Sequence, residues 1–343
     1  MFTLGFQELN LRLFLHLCFM IQISKAIYTL LILTLLVSGI SCSKKSNVME
    51  EIPEPQYKTQ NVVIVMVDGA RYTETWGDLS HKYIPRRYEM LQQGVLCSAF
   101  SNNGTTSTVP GHIATTTGFY QQIANDGTAY PDKSSLFQHW LQTSAKDSSK
   151  AWVITTKDKL EVLSDCTDPE WKGKYRPMRD CGVAGLGTGY RNDKETFNHA
   201  TATLNSNHPQ LVLINFKQPD AAGHAADSAA YLKGITDTDN YIYLLWQQLQ
   251  SDDFYKDKTT MIVTNDHGRH TAGHLDGYVS HGDTCEGCRH IEFFAIGPDF
   301  KKNYIAETPY EQIDITSTVA ELMNFEMPDA KGKIISDIFI ALH

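Results

Sequence analysis

Three acidic residues stand just beyond apolar runs in this chain, and each could hold a cation. Asp68 follows the run 61–67 (NVVIVMV) and precedes Gly69. Asp220 comes after the run 210–216 (QLVLINF) by way of Pro219, with His224 one helical turn further on. Asp266 follows 260–264 (TMIVT) and adjoins His267 and Gly268, and His281 lies beyond in Ser280-His281-Gly282-Asp283. Carboxylates gathered in one place repel one another, so a metal ion is the natural compensation. Carboxylate and imidazole donors together suit zinc, whose four-coordinate sites can keep one position open for chemistry. The i, i+4 spacing of Asp220 and His224 puts both on one face if the segment is helical. Each piece alone has a plainer reading. An Asp-Gly after a strand is commonly a turn, and His267, His270, His274, His281 and His290 could be an ordinary surface cluster. The order of the pieces, each at the end of an apolar run, is what carries the signal.

A hydroxyl nucleophile is available in the segment 102–112 (NNGTTSTVPGH). Pro110 suits the first turn of a helix starting near Thr108. Free N–H groups and the positive dipole end of such a helix favour a phosphoryl oxygen. A threonine there could bind zinc, lose its proton and attack phosphorus. Alternatively, these threonines only cap the helix.

The elements that must position these groups follow from hydrophobic patterning. The runs 61–67, 210–216, 260–264 and 291–296, with a weaker one at 151–155, are continuous rather than alternating. That pattern predicts strands covered on both faces, as in a parallel sheet. Apolar spacings of three and four predict helices over 134–143, 193–204, 227–249 and 310–325. The fold class is therefore α/β, a doubly wound, mostly parallel sheet with helices on both faces. In such a sheet ligands bind beyond the carboxyl ends of the strands, where the three Asp residues would converge. Residues 157–191 break the rhythm with Gly, Asp, Lys and Arg, and read as a long ordered insertion or cap loop.

With these motifs in view, the chain resembles the alkaline phosphatase superfamily. It looks most like the type I phosphodiesterase/nucleotide pyrophosphatase branch. Asp68-Gly69, Thr108-Val109-Pro110-Gly111-His112, Pro219-Asp220 with Gly223-His224, Asp266-His267-Gly268 and His281-Gly282 occur in that family's order, spanning about residues 62–300. The resemblance implies two zinc ions, one held by Asp220, His224 and His281. The other would be held by Asp68, Asp266 and His267, bridged by Thr108 as nucleophile. It implies a covalent phosphothreonine and a small phosphate ester or nucleotide-like substrate. The family's phosphoryl-contacting asparagine maps best onto Asn125, although the spacing implies a short deletion. The Cys/Ser-x-Pro-x-Arg signature of sulfatases is absent around Thr108. A phosphonate hydrolase, a phosphoryl transferase on the same metals, or an inactive lipid-anchored binding protein are the competing readings.

Composition sets the remaining bounds. With 30 basic and 39 acidic residues in 343, the net charge of -9 argues against a nucleic-acid-coating surface. Residues 1–42 read as an export signal, with small residues before Cys42 that resemble a bacterial lipobox. Acylation at Cys42 would leave 43–58 as a flexible tether and 59–343 as the catalytic domain, on the periplasmic or cell-surface side of a membrane. An oxidising compartment allows disulfides, and Cys166 is expected to pair with Cys181 across a polar loop. Cys285 and Cys288 form a lone C-x-x-C without a second cysteine pair at zinc-site spacing, which favours a local disulfide or staple.

Overall fold

Every residue of Asn61–Val67 is buried, because the strand is covered from both sides. Val62, Ile64 and Met66 enter one apolar cluster, while Val63, Val65 and Val67 enter another. The first cluster is closed by Val109 and Ile113 of the helix Thr108–Thr117, by the helix Leu136–Ser144 and by the helix Asp314–Leu322. The second is closed by the helices Asp193–Asn207 and Ser228–Ser251. A strand buried on both faces has no solvated side to alternate toward, which accounts for the uninterrupted apolar run.

The computed structural model describes residues 57–341. Its strands are β1 (Asn61–Val67), β2 (Gly94–Cys97), β3 (Phe100–Ser101), β4 (Ala151–Thr155), β5 (Met178–Cys181), β6 (Leu211–Phe216), β7 (Thr259–Thr264), β8 (Phe293–Ile296), β9 (Tyr304–Ala306) and β10 (Tyr310–Glu311). An eight-stranded sheet has the order β5-β4-β6-β1-β7-β8-β2-β9, and β10 pairs with β3 separately. β4, β6, β1 and β7 are mutually parallel neighbours. β8 runs against both of its neighbours, which makes the sheet mixed but mostly parallel. The α/β architecture with helices on both faces is the one anticipated.

Three details differ from the sequence expectation. Residues 157–191 are not purely a covering loop: they begin with a 3-10 segment, Asp158–Ser164, and then supply the edge strand β5. The last helix is shorter than 310–325, because Tyr310–Glu311 pairs as β10. The expected Cys166–Cys181 disulfide is not formed; both thiols are free and buried. Cys181 ends β5 and turns into the core, 3.7 Å from the Val153 carbonyl oxygen. Cys166 instead faces Gln138 and Asp168. The export segment, the acylation at Cys42 and the tether up to residue 56 lie outside the described residues. Tyr57, assigned to the tether, is buried and packs against the core. Among the described residues no helix is long and apolar enough to cross a membrane.

Candidate metal centre and nucleophile

Because β6, β1 and β7 are adjacent and parallel, the residues that follow them emerge at one edge. Asp68 leaves β1, Asp220 opens a short helix (Asp220–His224) after β6, and Asp266 and His267 follow β7. All four are buried. Gly69 takes a left-handed φ of +66°, and a Cβ there would crowd the Asp220 side chain. The turn after Asp68 therefore needs glycine to let the two carboxylates approach.

The donors form two groups that meet. In the first, His224 Nε2 lies 3.1 Å from His281 Nε2 and 3.3 Å from Asp220 Oδ1, and His281 Nε2 is 3.5 Å from the same oxygen. In the second, His267 Nε2 lies 3.6 Å from Asp68 Oδ1 and 3.4 Å from Asp266 Oδ2. The His267 and His281 rings stack at 3.7 Å and join the groups. The second ring nitrogens are tied back: His281 Nδ1 donates to the Thr106 carbonyl and His267 Nδ1 to that of Gly268, both at 2.8 Å. A backbone acceptor on Nδ1 leaves the Nε2 lone pair as the ligating one.

Thr108 is the first residue of its helix and is buried. Gly111, one turn on, packs so closely that a Cβ would overlap the Asp266 carbonyl. This contact brings the helix start to the end of β7. Asn125 reaches the same place: its Oδ1 accepts from the Val109 N–H at 2.8 Å, which leaves Nδ2 free to donate. All the residues singled out from the sequence are thus gathered at one edge, except Cys42, which lies outside the described residues, and Cys166 and Cys181.

One residue was missed. Lys157, which follows β4, sends Nζ to within 2.8 Å of both Asp68 Oδ2 and Asp220 Oδ2 and 3.2 Å from Thr108 Oγ1. Arg269, Arg71 and Lys217 lie near these motifs in the sequence, and all three are engaged by the protein. Arg269 pairs with Asp220 and the carbonyls of Tyr278 and Val279. Arg71 holds Glu74 and the His270 carbonyl, and Lys217 the Arg191 carbonyl.

Electrostatics favour a cation here. Burial pushes the Asp68 carboxyl up to about 6, against the pull of Lys157. Burial and then the Asp68 charge raise Asp266 well above the usual range. Burial acts to raise Asp220 too, but Lys157, His224, His267 and Arg269 override it and hold that carboxyl low. Burial lowers His267 strongly and His281 to about 4, so both imidazoles are neutral with free lone pairs. Asp68 Oδ1, Asp266 Oδ2 and His267 Nε2 are buried without a hydrogen-bond partner. Orphaned atoms of this kind are costly in a dry interior. The donor set therefore fits metal ions, which the chain's own cations replace only in part.

A mostly parallel sheet with donors at three adjacent strand ends and a helix-borne hydroxyl beside them defines the alkaline-phosphatase-like α/β class. The chain belongs to the Metalloenzyme superfamily, whose family model matches residues 30–327. Among solved structures, phosphonate monoester hydrolase from Silicibacter pomeroyi superposes with a TM-score of 0.59 at 16% identity, over 81% of this chain and 76% of that one. Murine ectonucleotide pyrophosphatase/phosphodiesterase 5 does so with a TM-score of 0.59 at 16% identity, over 82% of this chain and 100% of that one. The murine protein also matches as an inactive threonine-to-alanine variant in complex with AMP, with a TM-score of 0.58, 16% identity and the same coverage of 82% and 100%. These likenesses concern the fold. A 2,3-bisphosphoglycerate-independent phosphoglycerate mutase from Gracilaria tenuistipitata var. liui is 25% identical over 135 residues, 39% of this chain; the match spans only 25% of that protein's length.

Proposed function

We propose that this protein is a zinc-dependent phosphoric ester hydrolase, a phosphodiesterase or phosphomonoesterase, acting through a phosphothreonine at Thr108. The observation that carries the reading is the position of Thr108, a buried hydroxyl at a helix start beside two converging sets of Asp and His donors. Asp220, His224 and His281 would hold one zinc, and Asp68, Asp266, His267 and Thr108 the other. Bound there, two zinc ions would supply Lewis-acid charge for the phosphoryl oxygens and acidify the threonine hydroxyl.

The chain's own groups do the rest. Thr108 Oγ1 forms the bond to phosphorus as the bond to the ester oxygen breaks, and the alcohol leaves with a proton. Water then attacks the phosphothreonine and regenerates the hydroxyl. The helix start and Asn125 Nδ2 face the charge that develops on the phosphoryl oxygens, the kind of preorganised donors that carry most of such catalysis. The inactive threonine-to-alanine relative bound to AMP supports the role given to Thr108. The likeness to a phosphonate monoester hydrolase favours a second reading, in which a phosphonate ester is the substrate. The export signal and Cys42 acylation expected from the sequence would place the chemistry outside the cytoplasm, anchored to a membrane.

The test is turnover of nitrophenyl phosphate monoesters, diesters and phosphonates by the purified protein, with and without chelator. Thr108→Ala is expected to keep its metal and lose turnover. Wild-type rates in that variant remove Thr108 from the mechanism, and a metal-loaded protein inert on every ester favours a binding role.

A further inference from the structure

One cysteine of the lone C-x-x-C, Cys285, has metal-type donors beside it in space. Cys285 and Cys288 are both free thiols. Beside them the chain places His270 and His274, four residues apart in an irregular turn, together with Asp283. One ligand atom each from His270, His274, Asp283 and Cys285 lies within 4.8 Å of all the others. Asp283 Oδ2 is 2.8 Å from His274 Nε2 and 3.3 Å from His270 Nε2. Tetrahedral zinc, with bonds of about 2.0–2.3 Å, separates its donors by about 3.3–3.8 Å, so small side-chain movements suffice.

Two further observations point to a ligand. His270 is 2% exposed, and its Nε2, aimed at Asp283, has no hydrogen-bond partner. Its other nitrogen, Nδ1, lies 3.0 Å from Asp276 Oδ1, and Asp276 is itself fixed by the Ser280 hydroxyl at 2.6 Å. Carboxylate on one ring nitrogen and an empty lone pair on the other is the arrangement that orients a metal-bound histidine. His274, Asp283 and Cys285 remain partly exposed, which leaves a path of entry.

We propose that His270, His274, Asp283 and Cys285 form a separate structural site for one zinc ion. Its role follows from what it encloses. The segment between His267 and Cys285 has one 3-10 turn, Gly277–Val279, as its only regular element. It carries His281, whose Nδ1 bonds the Thr106 carbonyl, while the Asp283 carbonyl accepts from Thr106 Oγ1 at 2.8 Å. A metal ion across the ends of this loop holds His281 against the Thr106–Thr108 segment. Cys285 enters as the thiolate, releasing its proton on binding.

The site is separable from the catalytic centre because the donors of that centre include no sulfur. The purified protein, loaded with Co²⁺, is expected to show a near-ultraviolet thiolate-to-cobalt charge-transfer band. The band should vanish in both Cys285→Ser and His274→Ala. Each variant, reloaded with Zn²⁺, should bind one ion fewer per chain than wild type. His274 is half-exposed, so its loss tests the site without threatening the core. A band that is missing in wild type, or that survives in Cys285→Ser, overturns the proposal. So does finding Cys285 and Cys288 joined as a disulfide in the isolated protein.

Discussion

Replacing Lys157 with Met in metal-free protein removes the cation that two buried carboxylates share. Its Nζ lies 2.8 Å from an oxygen of Asp68 and of Asp220, with a side chain only 4% exposed. Asp220 keeps Arg269 as a partner, whereas Asp68 keeps no comparable cation. Breaking a buried ion pair from one side costs about 3–5 kcal/mol. Asp68 escapes part of this cost by taking up a proton, since burial has already raised it to about 6. The lower figure, about 3 kcal/mol, is therefore expected. For a chain of this size that corresponds to a fall in Tm of roughly 4–5 °C. Metal ions bound as proposed would neutralise the same carboxylates in the folded state, so loading with zinc should narrow the gap. The assay is thermal unfolding of wild type and Lys157→Met at mildly alkaline pH, first in chelator and then with zinc. Equal Tm values in chelator would refute the neutralising role of Lys157. A gap that zinc leaves unchanged would show that the ions bind elsewhere.

On the proposed mechanism, Asn125→Ala removes one donor to the phosphoryl group and should lower kcat by about 100–1,000-fold. Asn125→Asp keeps the acceptor for the Val109 N–H, so an equal loss of turnover with better stability separates catalysis from helix capping. Arg87, fully buried, is paired with Asp239 at 2.9 Å and with Glu292; Arg87→Ala strands both carboxylates and should cost about 3–5 kcal/mol in denaturant unfolding. Burial pushes His112 down to about 3, while its Nδ1 donates to the Thr108 carbonyl at 2.8 Å. The unfolded chain then takes up this proton near pH 6.5 and the folded chain only near pH 3. Stability is full above that window and falls with acidification through it, by at most about 1.4 kcal/mol per pH unit from this group. His112→Gln should flatten the slope, and an unchanged slope would assign it to other groups.

The strand ends were legible because an uninterrupted apolar run followed by Asp is a strong local signal. The same rule applied to Ala151–Thr155 would have reached Lys157, but that run is short and its follower is a cation rather than a ligand type. β5 was hidden because its sequence, Met-Arg-Asp-Cys, sits at a sheet edge and is mostly solvated, so no apolar pattern marks it. Pairing Cys166 with Cys181 failed because spacing along a loop does not reveal which way each side chain turns. The partners of the C-x-x-C stayed invisible for a related reason. They are two imidazoles and a carboxylate, brought in by a fold-back of the chain rather than by a repeated cysteine motif.

The adjacency of β6, β1 and β7 has a kinetic consequence. Asp68, Asp220 and His281 belong to stretches far apart along the polypeptide, and no short fragment contains a complete set of donors for either ion. An emerging or partly unfolded chain can offer only isolated, weak ligands. Capture of the two ions proposed there would therefore wait until the central strands have zipped together, and loss of any one of those strands would release them. Occupancy of the two-ion centre proposed at these strand ends, unlike that of the local site proposed at residues 270–285, would be a readout of finished folding.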